Sequence, residues 1–264
     1  MATSIAHLSD LHFGRESTAV VEGLLTDLDG LSPDLVVVSG DLTERARPTQ
    51  FRMARRFLNR LRVPWIATPG NHDVPLFPLH ERLRRPAERF ARHIDPAPVP
   101  SRQAGRIWAA SLCTAHGRTW KSGRISREML ETVCALAVRA PNAMRRMIVA
   151  HHPFRPPPDD PKYRLVSGCA NGLRRLSAAG VDMVLGGHVH RAYALDAAES
   201  LGLPRPLIVM QAPTAVSLHL RDRPNGYNLL MLDDSSVEVA TRYWAGREFV
   251  QEASQRFLLD GAVP

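Results

Sequence analysis

Lysine is almost absent from this 264-residue chain: only Lys121 and Lys162 occur among its 34 basic residues, so the formal charge of +8 is carried by arginine. A positive field of that size attracts phosphate-bearing substrates or nucleic acid. The arginines between 45 and 62, however, alternate with Phe51, Ala54, Phe57, Leu58 and Leu61 at helical spacing, as the solvated face of an amphipathic helix does. Aromatic residues are also sparse, at 6%. They are too scattered to supply the stacking platforms of a nuclease groove, which argues against nucleic acid as a partner. Cysteine is limited to Cys113, Cys134 and Cys169, an odd number with no CxxC pair. That excludes a disulfide framework and a cysteine zinc site. Long apolar runs are missing, and the first ten residues lack the charged start and apolar core of a signal peptide. A cytoplasmic protein with no membrane span is expected. No long linker or repeat divides the chain, so a single domain over 1–264 is expected as well.

What the chain does contain is a series of short apolar segments that end in polar side chains. Residues 4–8 read as a strand running into Ser9-Asp10-Leu11-His12, where a two-residue period would point Asp10 and His12 to one side. A helix follows, with Val20, Val21, Leu24, Leu25, Leu28 and Leu31 as its stripe. Residues 34–39 then form a continuously apolar strand ending in Gly40-Asp41. After the arginine-rich helix, residues 63–67 make a third strand, closed by Pro69-Gly70 and followed by Asn71-His72-Asp73. Strands that are apolar throughout and separated by helices indicate an α/β fold with a buried, largely parallel sheet.

Residues 74–106 break this rhythm, with prolines at 75, 78, 86, 96, 98 and 100 around a basic helical piece over 79–93. They read as an excursion over the site. Residues 107–113 return to strand, 126–138 to helix behind a Ser126 N-cap, and 146–150 to a strand ending in His151-His152-Pro153. A helix near 173–179 closed by Gly180 leads to a strand over 181–185 that ends in Gly187-His188-Val189-His190. Beyond it, residues 207–211, 227–232 and 237–244 are shorter and alternating, and predict a second, antiparallel sheet.

Asp10, His12, Asp41, Asn71, His188, His190 and either His151 or His152 thus all fall at predicted strand ends, where α/β sheets bind ligands. A satisfied structural role would have to hold independently at five places. Imidazole and carboxylate ligands without thiolate suit Mn, Fe or Zn. Seven are too many for one tetrahedral ion, and they suit two ions sharing a bridging carboxylate, the arrangement used for in-line displacement at phosphorus.

Taken in order, Asp10-x-His12, Gly40-Asp41, Gly70-Asn71-His72-Asp73, His151 and Gly187-His188-x-His190 resemble the full motif set of the calcineurin-like metallophosphoesterase superfamily. The resemblance implies a four-layer αββα sandwich of two mixed sheets flanked by helices, and a dinuclear centre of Mn, Fe or Zn. It also implies hydrolysis of phosphate esters by a hydroxide formed between the ions. Carried over by position, one metal would be held by Asp10, His12, Asp41 and His190, and the other by Asp41, Asn71, His151 and His188. His152 would then orient its neighbours, His72 would act on the leaving oxygen as the catalytic histidine, and Asp73 would assist it. Ser9-Asp10-Leu11-His12 and His151-His152-Pro153 further resemble the bacterial class III cyclic nucleotide phosphodiesterases and their glycerophosphodiesterase relatives. That subgroup implies a small phosphodiester substrate and is compatible with a homo-oligomer. The same superfamily also includes phosphomonoesterases, nucleases and nucleotide-sugar pyrophosphatases. A scaffold that had lost catalysis should have lost ligands, and none is missing here. His7, His80, His93, His116 and His219 lie outside every motif, and Arg221 and Arg223 read as solvated hairpin charges.

Overall fold

The computed structural model describes residues 2–221 and 223–260. In chain order the elements are β1 (Thr3–Leu8), α1 (Thr18–Leu31), β2 (Leu35–Val38), α2 (Pro48–Arg60), β3 (Trp65–Ala67), α3 (Leu79–Arg84), α4 (Glu88–His93), β4 (Ser101–Ala104), β5 (Ile107–Ser111) and α5 (Arg127–Arg139). They continue with β6 (Arg145–Val149), α6 (Cys169–Ala178), β7 (Met183–Gly186), β8 (Tyr193–Asp196), α7 (Ala198–Leu201), β9 (Ile208–Gln211), β10 (Gly226–Leu232), β11 (Ser236–Trp244) and β12 (Phe249–Leu258). Among the described residues, no helix is long and apolar enough to cross a membrane.

Two mixed six-stranded sheets, ordered β12-β11-β10-β1-β2-β3 and β4-β5-β6-β7-β9-β8, lie face to face. The apolar alternation explains the stacking. On β1 and β2, Ile5, Leu35 and Val37 point into the layer between the sheets, against Met147, Val149, Met183 and Leu185. Ala6, Leu8, Val36 and Val38 point outward to α1 and α2. The second sheet repeats this, with Ala110, Ile148 and Val184 turned out onto α5 and α6. Strands covered on both faces have no polar side, which is why they read as unbroken apolar runs. The expected αββα sandwich is the fold observed.

Local signals behave as their chemistry dictates. The stripe of α2 buries Phe51, Ala54, Phe57 and Leu58, and Pro48 occupies the first turn, where its missing N–H costs nothing. The Ser126 hydroxyl accepts from Met129 N at 3.1 Å and starts α5. The basic helical piece over 79–93 is two short helices, because Pro86 biases its predecessor away from helical backbone and Arg85 ends α3.

The second sheet departs from the expectation. Residues 207–211, 227–232 and 237–244 do not form a sheet of their own. Strand β9 runs parallel to β7, with Leu185 opposite Met210, and takes β8 as an antiparallel neighbour. Strands β10 to β12 extend the first sheet, with Leu230 opposite Ile5. Alternation reports one wet or antiparallel side but carries no information on which edge a strand joins. The strand ends nevertheless fall as expected: β1, β2, β3, β6 and β7 all deliver their carboxyl-terminal loops to one edge of the sandwich.

Candidate metal centre

The loops leaving β1, β2 and β7 have an unusual backbone. Asp10, His12, Asp41, His188 and His190 all have positive φ, between 47° and 69°. Left-handed backbone costs a non-glycine residue about 1–2 kcal/mol. Its concentration at five of the seven expected ligands marks loops shaped for side-chain direction rather than for stability. Asp10 and His12 therefore converge through two left-handed turns and not through the strand alternation expected from the sequence. Glycines let these loops interlock. A Cβ on Gly187 would lie 1.7 Å from Ser9 Oγ and 2.5 Å from Asp10 Oδ2, and one on Gly70 would lie 2.1 Å from Asp41 Oδ1.

Two donor groups result, and they meet at Asp41. In the first, Asp10 Oδ1 lies 3.1 Å from His190 Nε2 and 3.7 Å from His12 Nε2. In the second, Asn71 Oδ1 lies 3.2 Å from His151 Nε2 and 3.0 Å from His188 Nδ1. Asp41 Oδ2 lies 3.8 Å from His12 Nε2 and 3.2 Å from His151 Nε2, so one oxygen borders both groups. Such separations suit donors around an ion bound at roughly 2.1 Å.

Surrounding groups fix which ring atoms are free. His151 Nδ1 donates to Ser39 O at 2.8 Å and His190 Nδ1 to His219 O at 3.2 Å, leaving both Nε2 atoms as lone-pair donors. His72 Nδ1 likewise donates to Glu44 O at 2.7 Å, and its backbone N donates to Asp41 Oδ1 at 2.8 Å. Of the adjacent histidines, His151 faces Asp41 and Asn71, whereas His152 Nδ1 is engaged with Thr114 Oγ1 at 2.8 Å. Both oxygens of Asp73 are taken, by the backbone N–H groups of Leu42, Thr43 and Gly70 and by the Thr43 hydroxyl.

The electrostatics call for a cation. Burial lowers the pKa of His151, but the charge and hydrogen bond of Asp41, the charge of Asp10 and the bond to the Ser39 carbonyl together outweigh it and push the ring up to about 9. His12, also buried, is carried to about 10 by the surrounding carboxylates of Asp10, Glu44 and Asp41, against the opposing effect of burial. Asp10 Oδ1 and His12 Nε2 are buried without hydrogen-bond partners. Clustered carboxylates that force protons onto buried imidazoles, with donor atoms left unpaired between them, fit divalent cations in place of those protons.

Some residues of the site carried no signal in the sequence. Glu44 places Oε2 3.3 Å from His12 Nδ1 and 3.3 Å from His219 Nε2, so it orients one candidate ligand and ties down a distant loop. That loop borders the cavity of about 510 Å³ over the centre, where Tyr163, His219 and Arg221 join the motif residues. Arg221 is exposed and lies on the lining of that cavity, whereas Arg223 is paired with Glu252 at 2.6 Å. His116 turns back on its own loop, its Nδ1 accepting from Arg118 N at 3.1 Å.

The family model of the calcineurin-like phosphoesterases matches residues 3–192, a span that holds every strand-end motif of this centre. The chain belongs to that family. Calcineurin-like phosphoesterases use a dinuclear metal centre, and the Asp and His clusters here are candidate ligands for one. Among its relatives is a probable cyclic nucleotide phosphodiesterase of Synechococcus sp., 26% identical over 96% of both chains. Glycerophosphodiester phosphodiesterase GpdQ of Enterobacter lignolyticus is 39% identical over 80 residues, which span 26% of this chain and only 29% of GpdQ. A dimetal phosphatase from Danio rerio has the same fold, with a TM-score of 0.63 at 13% identity over 94% of this chain and 98% of its own.

Proposed function

We propose that this calcineurin-like phosphoesterase is a dinuclear phosphodiesterase acting on a small substrate of the cyclic nucleotide or glycerophosphodiester kind. In this reading Asp10, His12, Asp41 and His190 hold one ion, Asp41, Asn71, His151 and His188 hold the other, and residues 1–264 work as one domain. The single observation that carries it is the position of Asp41 Oδ2 between the two donor groups. When bound, the ions supply an acidified water and neutralise charge on the phosphoryl oxygens. The protein supplies the rest. The left-handed loops hold the donors preorganised, the Ser39 carbonyl keeps His151 in the tautomer that ligation needs, and the Glu44 carboxylate lies 3.3 Å from His12 Nδ1.

His72 is the acid. With Nδ1–H committed to the Glu44 carbonyl, Nε2 is the atom that gives its proton to the departing oxygen. Asp73 does not reach the reacting atoms; it braces the loop of Asp41 through its bonds to Leu42, Thr43 and Gly70. A diester is favoured because its two arms suit the adjoining cavities that meet at His72, and because two relatives are named as phosphodiesterases.

The test is turnover of bis(p-nitrophenyl) phosphate against p-nitrophenyl phosphate by Mn-loaded protein, beside an Asn71→Ala variant. The expected result is a preference of about 10-fold or more for the diester, with diester turnover falling at least about 100-fold in the variant. A preference for the monoester would contradict the reading.

A further inference from the structure

The smaller of the two cavities that meet at His72 has a volume of about 220 Å³. It shares Glu44, Asn71, His72 and Lys121 with the larger cavity and continues past His72 between Val74, Leu76 and Trp120. Its walls are thus apolar beyond the catalytic histidine, with Arg45 and Lys121 also on its lining. It is too small for a whole drug-sized ligand and suits one arm of a substrate.

Trp120 makes this cavity more than a surface dent. The indole is 62% exposed and lies on the lining of this cavity. It is also held in place. The guanidinium of Arg82, which is only 2% exposed, lies 4.5 Å from the ring centroid. Arg82 is in turn fixed by bonds to the carbonyls of Pro75 and Thr119. The excursion over 74–106 thereby grips the loop that carries Trp120 and Lys121. The approach is so close that a Cβ on Gly117 would fall 1.9 Å from Arg82 O. At its other end the loop is seated on the metal-centre framework, where a Cβ on Gly123 would fall 2.3 Å from the His152 ring. An exposed indole braced from one side and lining an apolar cavity is the arrangement by which proteins stack flat rings.

We propose that the cavity between His72 and Trp120 receives the departing arm of the substrate, that it favours an arm bearing a flat ring such as a nucleobase or an aromatic alcohol, and that Trp120 is the residue that selects it. This rests on the phosphodiesterase reading, since it is His72, as the acid, that places the departing arm on this side. Lys121, common to both cavities, lies where the arm joins the phosphoryl group. A glycerol arm with a small flexible substituent gains little from such a wall, so the subsite favours the ring-bearing class among the small diesters.

The experiment uses Mn-loaded full-length protein and methyl phosphodiesters whose other arm is 2-phenylethyl, 2-cyclohexylethyl or ethyl, so that leaving-group basicity is nearly constant while shape changes. Alcohol release is followed, with bis(p-nitrophenyl) phosphate in parallel. The phenyl arm is expected to exceed the cyclohexyl and ethyl arms by about 10-fold in kcat/KM, in line with the worth of one ring stacked on an aromatic side chain. In Trp120→Ala that preference should fall to within about 2-fold, and in Trp120→Phe most of it should survive. An equal rate on all arms in the unmodified protein, or an equal loss on all arms in Trp120→Ala, would overturn the subsite while bis(p-nitrophenyl) phosphate is still hydrolysed. Failure to hydrolyse any diester, that one included, would overturn the phosphodiesterase reading and the subsite with it.

Discussion

Asp41→Asn is expected to lower kcat/KM on a phosphodiester by about three orders of magnitude or more. The substitution is nearly isosteric, and its amide oxygen can still accept from His72 N, as Asp41 Oδ1 does at 2.8 Å. What changes is the other atom. In place of Oδ2, which borders His12 on one side and His151 on the other, the variant offers N–H donors to a site built for cations. Both donor groups lose their shared ligand at once. If bound metal contributes several kcal/mol to the transition state, the loss is at least about 10³-fold at 1.4 kcal/mol per tenfold. Rate measurements at saturating Mn, with circular dichroism to establish folding, check this. A folded variant retaining more than about a tenth of the activity would mean that Asp41 is not the bridge.

His72→Ala should produce an effect that depends on the substrate. General acid catalysis contributes about 10²–10⁴-fold when the leaving oxygen is strongly basic, and little when it departs without help. Alkyl diesters should therefore lose about 10²-fold or more in kcat, whereas p-nitrophenyl esters lose less than about 10-fold. The geometry behind this is the Nδ1–H bond to the Glu44 carbonyl, which fixes the ring and frees Nε2. The checking measurement is a plot of log kcat against leaving-group pKa for both proteins. Equal losses on nitrophenyl and alkyl esters would exclude a proton-donating role and leave His72 as a source of static charge stabilisation.

The sequence carried the ligands better than it carried their geometry. Asp10, Asp41, Asn71, His151 and His188 were legible because each follows an apolar strand that can only be buried, and a buried strand has to release its polar residues at its end. Their convergence was not legible. The left-handed backbone of Asp10, His12, Asp41, His188 and His190 is imposed by interlocking loops, and no propensity of Asp or His predicts five such residues together. Sheet membership was hidden for a related reason: β9 and β10 carry similar apolar patterns yet join opposite sheets, a choice made by tertiary packing. Strand β12 was missed because it is an edge strand with little buried beyond Phe249. Glu44 and His219 belong to no motif, since their pairing joins segments 175 positions apart and no spacing rule spans that distance. Trp120 was equally silent, because the Arg82 that holds it belongs to an excursion whose pattern shows only prolines and charge.

Whether two ions are held here through one shared carboxylate is decided by counting them. Metal-stripped protein would be titrated with Mn and the bound metal measured by equilibrium dialysis, with electron paramagnetic resonance recorded at each ratio. The expected result is two ions per chain and, above one equivalent, a spin-coupled signal from neighbouring ions that Asp41→Asn abolishes. One ion per chain at saturation, or two that remain magnetically independent, would contradict it.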